Sequence, residues 1–487
     1  MIVHTPWSRW SRRRVLSTSA AAVAALAGLK LAVRSAAGPG TAPAAGDGLA
    51  APPLTPTTAV GRPLAIGLPV GGPFAGLNHT IRHALDGAIP KVTEASGARL
   101  QLEILEVPQS KQYSSQAYAM APLIGSGAPP DLLVFTGIDD GPGVPGAYAV
   151  AAETKFLAPL DGYLKQEPAA LPWHEFYPPA LEACRHEGAL HAMPLMALPT
   201  VLAYDRVRFR EAGIAPPSGA WDWTQFVTAA RRLTRIDPEA ESGSVPSGAF
   251  GFWPDVGSGV LLTFIWQAGG AVVSADGKQA SLTAPAAMQA LELYSDLHRG
   301  PQPGSAPALA PASCERGPEG LRCGRWWCAM VMAFGHRGVP AWQVIADDPA
   351  EWPLALAEPP HGRRQAAALS LGATISLGRK AYDPDLASAA LAALTAQLSH
   401  VVVPSARRQT PEAMHAAEPR LSLATARTMA NALAYGHVPT LDRVRRTTAV
   451  LDVVCSLGAI LRHGTVPFGV AVQQANTSIQ RLLDARV

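Results

Sequence analysis

From Arg62 onward, short apolar runs alternate with segments in which apolar residues recur at helical spacing. Residues 63–69, 99–107 and 131–136 each predict a strand, and residues 77–96 predict a helix between the first two. Strands that alternate with helices in this way indicate an α/β architecture with mainly parallel strands. The chain therefore belongs among proteins that bury a sheet between helices.

Length and charge narrow the classes of function. The chain has 487 residues, of which 48% are hydrophobic and 16% are charged, so it can bury a large core and form two or three domains. Its formal net charge is only +3, and arginine and lysine form no long run beyond the N-terminus. A nucleic-acid-binding protein needs a concentrated basic face, so the sequence argues against a nucleic-acid partner.

The N-terminus has the parts of an export signal. Basic residues at Arg12 and Arg13 precede an alanine-rich apolar stretch at 20–29 and a small-residue exit at 35–37. The run resembles the twin-arginine motif, which implies the twin-arginine export machinery as a partner. We expect a signal peptide over residues 1–37 and a Pro/Ala/Gly-rich linker over residues 38–61. Retention of the uncleaved signal as a membrane tether stays open.

The cysteines favour a disulfide over a metal site. Cys314, Cys323, Cys328 and His336 have spacings that fit no zinc pattern, so we expect no metal and no cofactor. If the chain is exported, a disulfide between two of the first three cysteines is favoured, but the pairing cannot be read from the sequence. The five cysteines are Cys184, Cys314, Cys323, Cys328 and Cys455.

Several segments, in order along the chain, carry a resemblance to one family. They include ASGARLQLEIL, YAMAPLIGSGAPPDLLVF, TKFLAPLDGYL, EFYPPALEACRHEGALHAMPL and VLAYDRVRFREAGIAPPSGAWDWTQFVTAARRLT, followed by LLTFIWQAGGAVVSADGKQASLTAPAAMQALELYSDL and RWWCAMVMAFG. This order is similar to that of the family 1 extracellular solute-binding proteins of ABC importers. The similarity runs from about Pro63 to the C-terminus.

The resemblance implies a two-lobed, periplasmic-binding-protein-like α/β fold of type II, with a ligand cleft between lobes joined by hinge strands. We expect the first lobe to comprise residues 62–200 plus 371–403, and the second to comprise residues 201–370 plus 404–487. The hinge strands are expected near residues 199–204, 371–376 and 403–405.

The function that the resemblance implies is that of an extracytoplasmic receptor. It would bind a carbohydrate or related polyol and deliver it to ABC-transporter permease subunits in the membrane, without catalysis. We expect a monomer in the periplasm or outside the cell.

The expected binding residues follow strand ends, where the loops of an α/β sheet hold ligands. Sugars present apolar ring faces edged by hydroxyls, so aromatic side chains would stack and polar side chains would take the hydroxyls. Packing in the core or hinge is the alternative for Tyr204 and Trp266, an ordinary surface position is the alternative for His336, and a solvated turn is the alternative for the acidic pair. The candidates are Phe74, Asp139, Asp140, Tyr204, Trp253, Asp255, Trp266, Phe334 and His336.

Two other functions stay open. An exported glycoside hydrolase-like enzyme would need two carboxylates at a defined separation, and no short motif identifies such a pair. A ligand-free regulatory or interaction protein on the same fold is suggested by the long linker and by the unusual Pro/Cys segment at 301–323. Binding of any small ligand would exclude the second alternative.

Overall fold

In the computed structural model the described residues form two hydrophobic cores. The structure describes residues 62–71, 75–96, 100–108, 129–136, 151–152, 154–164, 171, 173–236, 248–254, 258–299, 314–317, 320–323, 326–333, 335–336, 339–340, 354–438, 447–464 and 466–485.

Strands and helices follow one another in groups along the described chain, and β11 to β18 form the longest run of strands. The strands are β1 Leu64–Val70, β2 Leu102–Pro108, β3 Leu132–Thr136, β4 Arg185–His186, β5 Ala189–Leu190, β6 Met193–Pro199, β7 Val201–Asp205, β8 Arg235–Ile236, β9 Gly248–Phe250, β10 Trp253–Pro254, β11 Cys314–Gly317, β12 Gly320–Cys323, β13 Trp326–Cys328, β14 Met330–Ala333, β15 Gly335–His336, β16 Val339–Pro340, β17 Leu354–Ala357, β18 Ala367–Leu377 and β19 Gly436–His437. The helices are α1 Ala75–Ala95, α2 Asp161–Leu164, α3 Pro178–Ala183, α4 Arg206–Glu211, α5 Trp223–Leu233, α6 Ser258–Gln267, α7 Pro285–Arg299, α8 Pro384–Val401, α9 Pro411–Ala417, α10 Leu423–Ala434, α11 Thr447–His463 and α12 Phe468–Asp484. A 3₁₀ turn covers Trp173–Glu175.

The first core surrounds a six-stranded sheet. Strand β1 pairs in parallel with β2 and β3, and β18 pairs with β3, β6 and β19. All five residues of β3 and all eleven of β18 are buried, because helices cover both faces of the sheet. The sequence prediction of three early strands and an intervening helix is confirmed by β1, β2, β3 and α1.

The second core lies around a four-stranded sheet in the order β10-β14-β7-β17. Helices α6, α7, α11 and α12 supply much of its apolar surface, including the fully buried Phe264 and Leu451. A separate five-stranded sheet has the order β11-β12-β13-β9-β8. The second core is therefore assembled from the middle and the end of the chain.

Three connections between the two cores can be followed from the described residues. The first runs from β6 to β7, where Val201 lies in the first core and Leu202 in the second. The second lies within β18, between Ala368 and Leu369. The third follows Val438. The first connection agrees with the hinge expected near residues 199–204.

The hinge expected near residues 403–405 is wrong. Val403 and Ala406 both lie in the first core, and the amide of Ala197 in β6 donates to the carbonyl of Pro404 at 3.2 Å. The chain stays with the first core through α9 and α10, whose Met414 and Leu433 are fully buried there. Residues 404–438, expected in the second lobe, thus pack with the first. The second connection also begins earlier than expected, because Leu371 and Ile375 are buried in the first core.

Local sequence signals account for two further elements. Helix α5 begins with a capping box, in which the Asp222 carboxylate accepts from the amide of Gln225 and the Gln225 side chain accepts from the amide of Asp222. A turn forms at Asp276-Gly277, where Gly277 has a φ of +73°, and it is followed by pairing of Val273 with Ala280. Over the part of the chain that the structure describes, none of the helices combines the length and the apolarity needed to cross a membrane.

Candidate functional site

The carboxyl ends of the first core's parallel strands face the second core. In the sheet, Thr136 at the end of β3 pairs with Ala373 in the middle of β18. Strand β18 extends beyond that point to Ala368, which is buried in the second core. Strand β1 runs parallel to β3 and ends at the same edge. Loops that follow β1 and β3 therefore begin on the side where the cores meet.

The second core presents strand ends in the opposite direction. Strand β14 is antiparallel to β7, so its last residue, Ala333, pairs with Val201 at the first connection. Strand β10 runs parallel to β14 and ends on the same side. The two sheets thus turn their carboxyl ends toward each other across the connections, and such edges are where α/β sheets hold ligands.

Asn78 ties together the strand ends of the first core. It lies in the first turn of α1 with 3% of its surface exposed, and its Nδ2 donates to the carbonyl of Gly71 at 3.0 Å. The Thr136 hydroxyl, at the end of β3, donates to the Asn78 Oδ1. Gly71 has a φ of +73°, which favours glycine, so the chain bends at the end of β1. Asn78 could not be recognised from the sequence. Its partners Gly71 and Thr136 come together only when β1 and β3 pair in parallel.

Seven of the predicted ligand residues have side chains outside the described part of the chain. Of Trp253 and His336 the structure describes the backbone, in β10 and β15. In sequence, most of these residues directly follow strands that end between the cores. Those wholly outside the described residues are Phe74, Asp139, Asp140, Asp255 and Phe334, as are the signal residues Arg12 and Arg13.

Tyr204 lies within the second core. It sits in β7 between Met330 of β14 and Ala355 of β17, and only 8% of its surface is exposed. Its ring meets that of Phe209 edge to face, with centroids 5.2 Å apart. Burial raises the pKa of the Tyr204 hydroxyl above its ordinary value. Its position is that of a packing residue next to the first connection.

Trp266 lies at the second and third connections. It is in the last turn of α6, is partly buried, and has its ring centroid 5.7 Å from that of His437 in β19. Burial, with a contribution from nearby Arg364, lowers the pKa of His437. The neighbouring Gln267 donates to the carbonyl of Ala366 at 2.9 Å and accepts from the Trp223 indole at 2.8 Å. Helix α6 is therefore anchored to the strand that joins the cores.

A polar cluster that the sequence did not reveal also bridges the cores. Glu358 follows β17 of the second core, and its carboxylate accepts from the Tyr435 hydroxyl and from the Asn431 amide, both at 2.8 Å. Tyr435 and Asn431 are at the end of α10, which packs with the first core. Burial and the Glu358 carboxylate raise the pKa of Tyr435 far above its ordinary value. We call Glu358, Asn431 and Tyr435 the interlobe cluster.

Among the described residues, no group of three or more His, Cys, Asp or Glu side chains is placed to hold a metal ion.

The comparisons with known proteins agree with this geometry. Residues 106–309 match the family model described as bacterial extracellular solute-binding protein. No curated protein sequence matches the chain.

Solved structures match most of the chain. A solute-binding protein from Thermotoga lettingae bound with α-D-tagatose has 16% sequence identity and a TM-score of 0.59, and the match covers 87% of this chain and 100% of that one. An ABC substrate-binding protein from Listeria monocytogenes in complex with cycloalternan has 15% identity and a TM-score of 0.61, with 87% and 99% covered. The chain has the type II periplasmic-binding-protein fold. UgpB from Mycobacterium tuberculosis, in complex with glycerophosphocholine, shares this fold at 15% identity and a TM-score of 0.59, with 87% and 99% covered.

The sequence predicted this fold class, and the similar solved structures confirm it. The family model confirms the resemblance over residues 106–309. Both the family model and the similar structures describe binding proteins.

Proposed function

We propose that this chain is the extracytoplasmic solute-binding receptor of an ABC importer, which holds a carbohydrate or related polyol between its two lobes. The observation that carries the proposal is the opposition of strand ends, with β1 and β3 on one side and β10 and β14 on the other. A ligand held by loops of both lobes favours the closed arrangement, because both sets of contacts form only there.

The ligands of the similar structures support the proposed ligand class. Their ligands include tagatose, cycloalternan, maltose and ribitol, which are all rich in hydroxyl groups. Glycerophosphocholine is bound by another of them, so a polyol carrying a phosphodiester belongs in the same set of candidates. A receptor for such ligands needs aromatic platforms and several hydrogen-bonding side chains.

The proposed ligand contacts come from the loops that follow the opposed strand ends. Phe74, Trp253 and Trp266 would stack on sugar rings. The proposed hydrogen-bonding residues are Asp139, Asp140, Asp255, Tyr204 and His336, and Phe334 adds apolar surface at the cleft. Of the two whose side chains are described, Trp266 lies at the connections and Tyr204 packs in the core beside them.

The proposal includes the route and the partners. The twin-arginine-like N-terminus, with Arg12 and Arg13, directs export, and the mature chain acts as a monomer in the periplasm or outside the cell. Closure of the lobes presents one composite surface to the membrane permease subunits. The chain itself carries out no catalysis.

A thermal-shift screen tests the proposal. The purified mature chain is melted with D-tagatose, ribitol, maltose, mannotriose, acarbose and glycerophosphocholine, because a ligand that binds only the folded state raises the melting temperature. We expect a concentration-dependent rise of several degrees with at least one of these compounds, recovered unchanged after incubation. Recovery of a hydrolysed product would indicate an enzyme.

Matched variants locate the binding site. Phe334→Ala and Asp255→Asn are expected to reduce the shift given by the best compound, because each removes a proposed contact from the second lobe. Val470→Ala, in the exposed face of α12, is the control and should keep the full shift. A shift that all three variants retain would place the ligand elsewhere and would contradict the site.

A further inference from the structure

Two cysteines lie directly opposite each other in the five-stranded sheet. Strands β11 and β12 are antiparallel, and their register pairs Cys314 with Cys323 and Gly317 with Gly320. Strand β11 is the outer strand of this sheet, and β12 pairs on its other side with β13. An inference from these two opposed cysteines goes beyond the proposed function, because solute binding does not require cysteines at these positions.

The geometry of the β11–β12 hairpin shows whether Cys314 and Cys323 form a hydrogen-bonded or a non-hydrogen-bonded pair. Two residues separate Gly317 from Gly320, and the pair that flanks a two-residue connection is a hydrogen-bonded pair. Pairs alternate along an antiparallel ladder, so Cys314 and Cys323, three steps away, form a non-hydrogen-bonded pair.

The neighbouring hairpin leads to the same result independently. Cys323 pairs with Trp326 across a second two-residue connection, which makes that pair hydrogen-bonded. The amide and carbonyl of Cys323 therefore point toward β13 and away from β11. The pair with Cys314 must again be non-hydrogen-bonded.

This register has the spacing of a disulfide. The α-carbons of a non-hydrogen-bonded pair are about 4.5 Å apart, and disulfides join α-carbons that are about 4.4–6.8 Å apart. Cys328, in β13, pairs with Leu321, so it is a diagonal neighbour of Cys323 at about 7–8 Å. Cys314 lies two strands away from Cys328, at about 10 Å or more. Only the pair Cys314 and Cys323 has the required spacing among these three.

The other two cysteines lie outside this sheet. Cys184 is a free thiol, fully buried in the first core, where burial raises its pKa well above the ordinary value. Cys455 lies in α11, which packs in the second core.

We propose that Cys314 and Cys323 form a cross-strand disulfide in the exported protein, with Cys328 left as a thiol. The two thiols lose two protons and two electrons as the sulfur–sulfur bond forms. The electrons pass by thiol–disulfide exchange to an oxidised disulfide, such as that of an extracytoplasmic thiol oxidoreductase or of oxidised glutathione, which becomes two thiols. The bond closes the β11–β12 hairpin at its open end and fastens the outer strand of the sheet to its neighbour.

Peptide mapping tests this pairing because trypsin separates the three cysteines. Cleavage after Arg299, Arg316, Arg322, Arg325 and Arg337 places Cys314 in peptide 300–316, Cys323 in 323–325 and Cys328 in 326–337. The full chain is isolated from the extracytoplasmic fraction, denatured with N-ethylmaleimide and digested without reductant. We expect peptides 300–316 and 323–325 to be joined, and peptide 326–337 to carry the label.

Three further measurements make the test decisive. Cys328→Ser should keep the link, whereas Cys314→Ser should leave Cys323 labelled. A second sample of the wild-type chain is incubated with oxidised glutathione before labelling, so that incomplete oxidation in the host cannot hide the pairing.

Label on both Cys314 and Cys323 after this incubation, or a link that involves Cys328, would overturn the proposal. The wild-type maps are read on denatured chains and do not depend on the folding of any variant. Their outcome is also independent of whether the chain binds a sugar.

Discussion

At the scale of single residues, Asp131 shows how one buried carboxylate joins distant parts of the first lobe. It is 0% exposed, and its oxygens accept from the amides of Ala65 at 2.9 Å and Tyr382 at 2.7 Å. Arg62, whose side chain is 45% exposed, reaches the same carboxylate at 3.3 Å. Asp131 thus joins the start of β3 to β1 and to the segment that follows β18.

Asp131→Ala is expected to lower the free energy of unfolding by about 3 kcal/mol, because two buried amides lose a charged acceptor. Urea unfolding monitored by circular dichroism measures the change. Asp86→Ala is the matched control, since Asp86 forms only an exposed pair with Arg82, and it should cost less than about 1 kcal/mol. Equal losses in the two variants would contradict the role of Asp131.

Two partly buried histidines are expected to lower the free energy of unfolding at acidic pH. Burial is the main cause that lowers the pKa of both His191 and His437 in the folded chain. Unfolding restores the ordinary value of about 6.5. The unfolded chain therefore binds protons first as the pH falls through that value, so their contribution is complete above it and declines below it.

The free energy of unfolding, measured at pH 7.5 and at pH 5, should fall less in the variant His191→Gln/His437→Gln than in the wild type. His79→Gln, at an exposed position of α1, controls for the loss of a histidine outside the core. An unchanged pH dependence in the double variant would exclude these two histidines as the cause.

The sequence predicted the place of Asp131 but not its partners. Pro129 and Pro130 predict an extended chain, and a strand does begin at Leu132. Tyr382 is 251 positions away in the chain, so no local pattern could indicate that its amide meets Asp131. The same reason explains why Asn78 was missed.

At the scale of elements, Gly251 allows β9 and α5 to approach each other. A Cβ atom at Gly251 would lie 1.7 Å from the carbonyl oxygen of Ala230, which is a backbone atom and cannot move aside without shifting the helix. Gly251→Ala is therefore expected to cost about 3 kcal/mol or more, as overpacking of a tight contact does.

Gly87→Ala is the control for that substitution. A Cβ atom there meets nothing within 4 Å, and Gly87 lies inside α1, so alanine should stabilise the chain by about 0.5–1 kcal/mol. Thermal unfolding of both variants compares the two signs directly. Similar melting temperatures for Gly251→Ala and the wild type would show that the approach of β9 to α5 is looser than described.

Elements with strong local signals were predicted well. The boundaries of β1 and β3 agree with the prediction within a residue or so. The third connection between the lobes was placed wrongly, near Val403–Ser405. A break between two helical segments has the same sequence pattern when the chain passes to the other lobe as when it stays in the same lobe. The burial of Met414 and Leu433 in the first core decides between these paths, and it depends on packing.

At the scale of the whole molecule, the interlobe cluster couples the two lobes away from the strand ends. Glu358 and Tyr435 are 77 positions apart and come from different lobes. A double-mutant cycle with Glu358→Ala and Tyr435→Phe is expected to give a coupling free energy of about 1 kcal/mol, because the hydrogen bond is to a charged group and is partly shielded from water. Additive effects on the free energy of unfolding would show that the pair does not couple the lobes.

The sequence indicates which loops form the proposed site, but it does not indicate the contacts that support those loops. The turn signals of the sequence and the family resemblance indicate which loops follow strand ends. The strand pairing brings the ends of β1, β3, β10 and β14 to the side where the two cores meet. The interlobe cluster and the Asn78 contacts depend on how separate segments pack, for which one sequence has no signal.

Small-angle X-ray scattering on the mature chain, with and without the compound that gives the largest thermal shift, tests the central claim most directly. A solute that contacts both lobes must favour the closed arrangement, so a saturating ligand is expected to reduce the radius of gyration. The reduction should disappear in a Phe334→Ala/Asp255→Asn variant at the same ligand concentration. A ligand that binds the wild-type chain tightly and leaves the radius of gyration unchanged would contradict a receptor that closes around its solute.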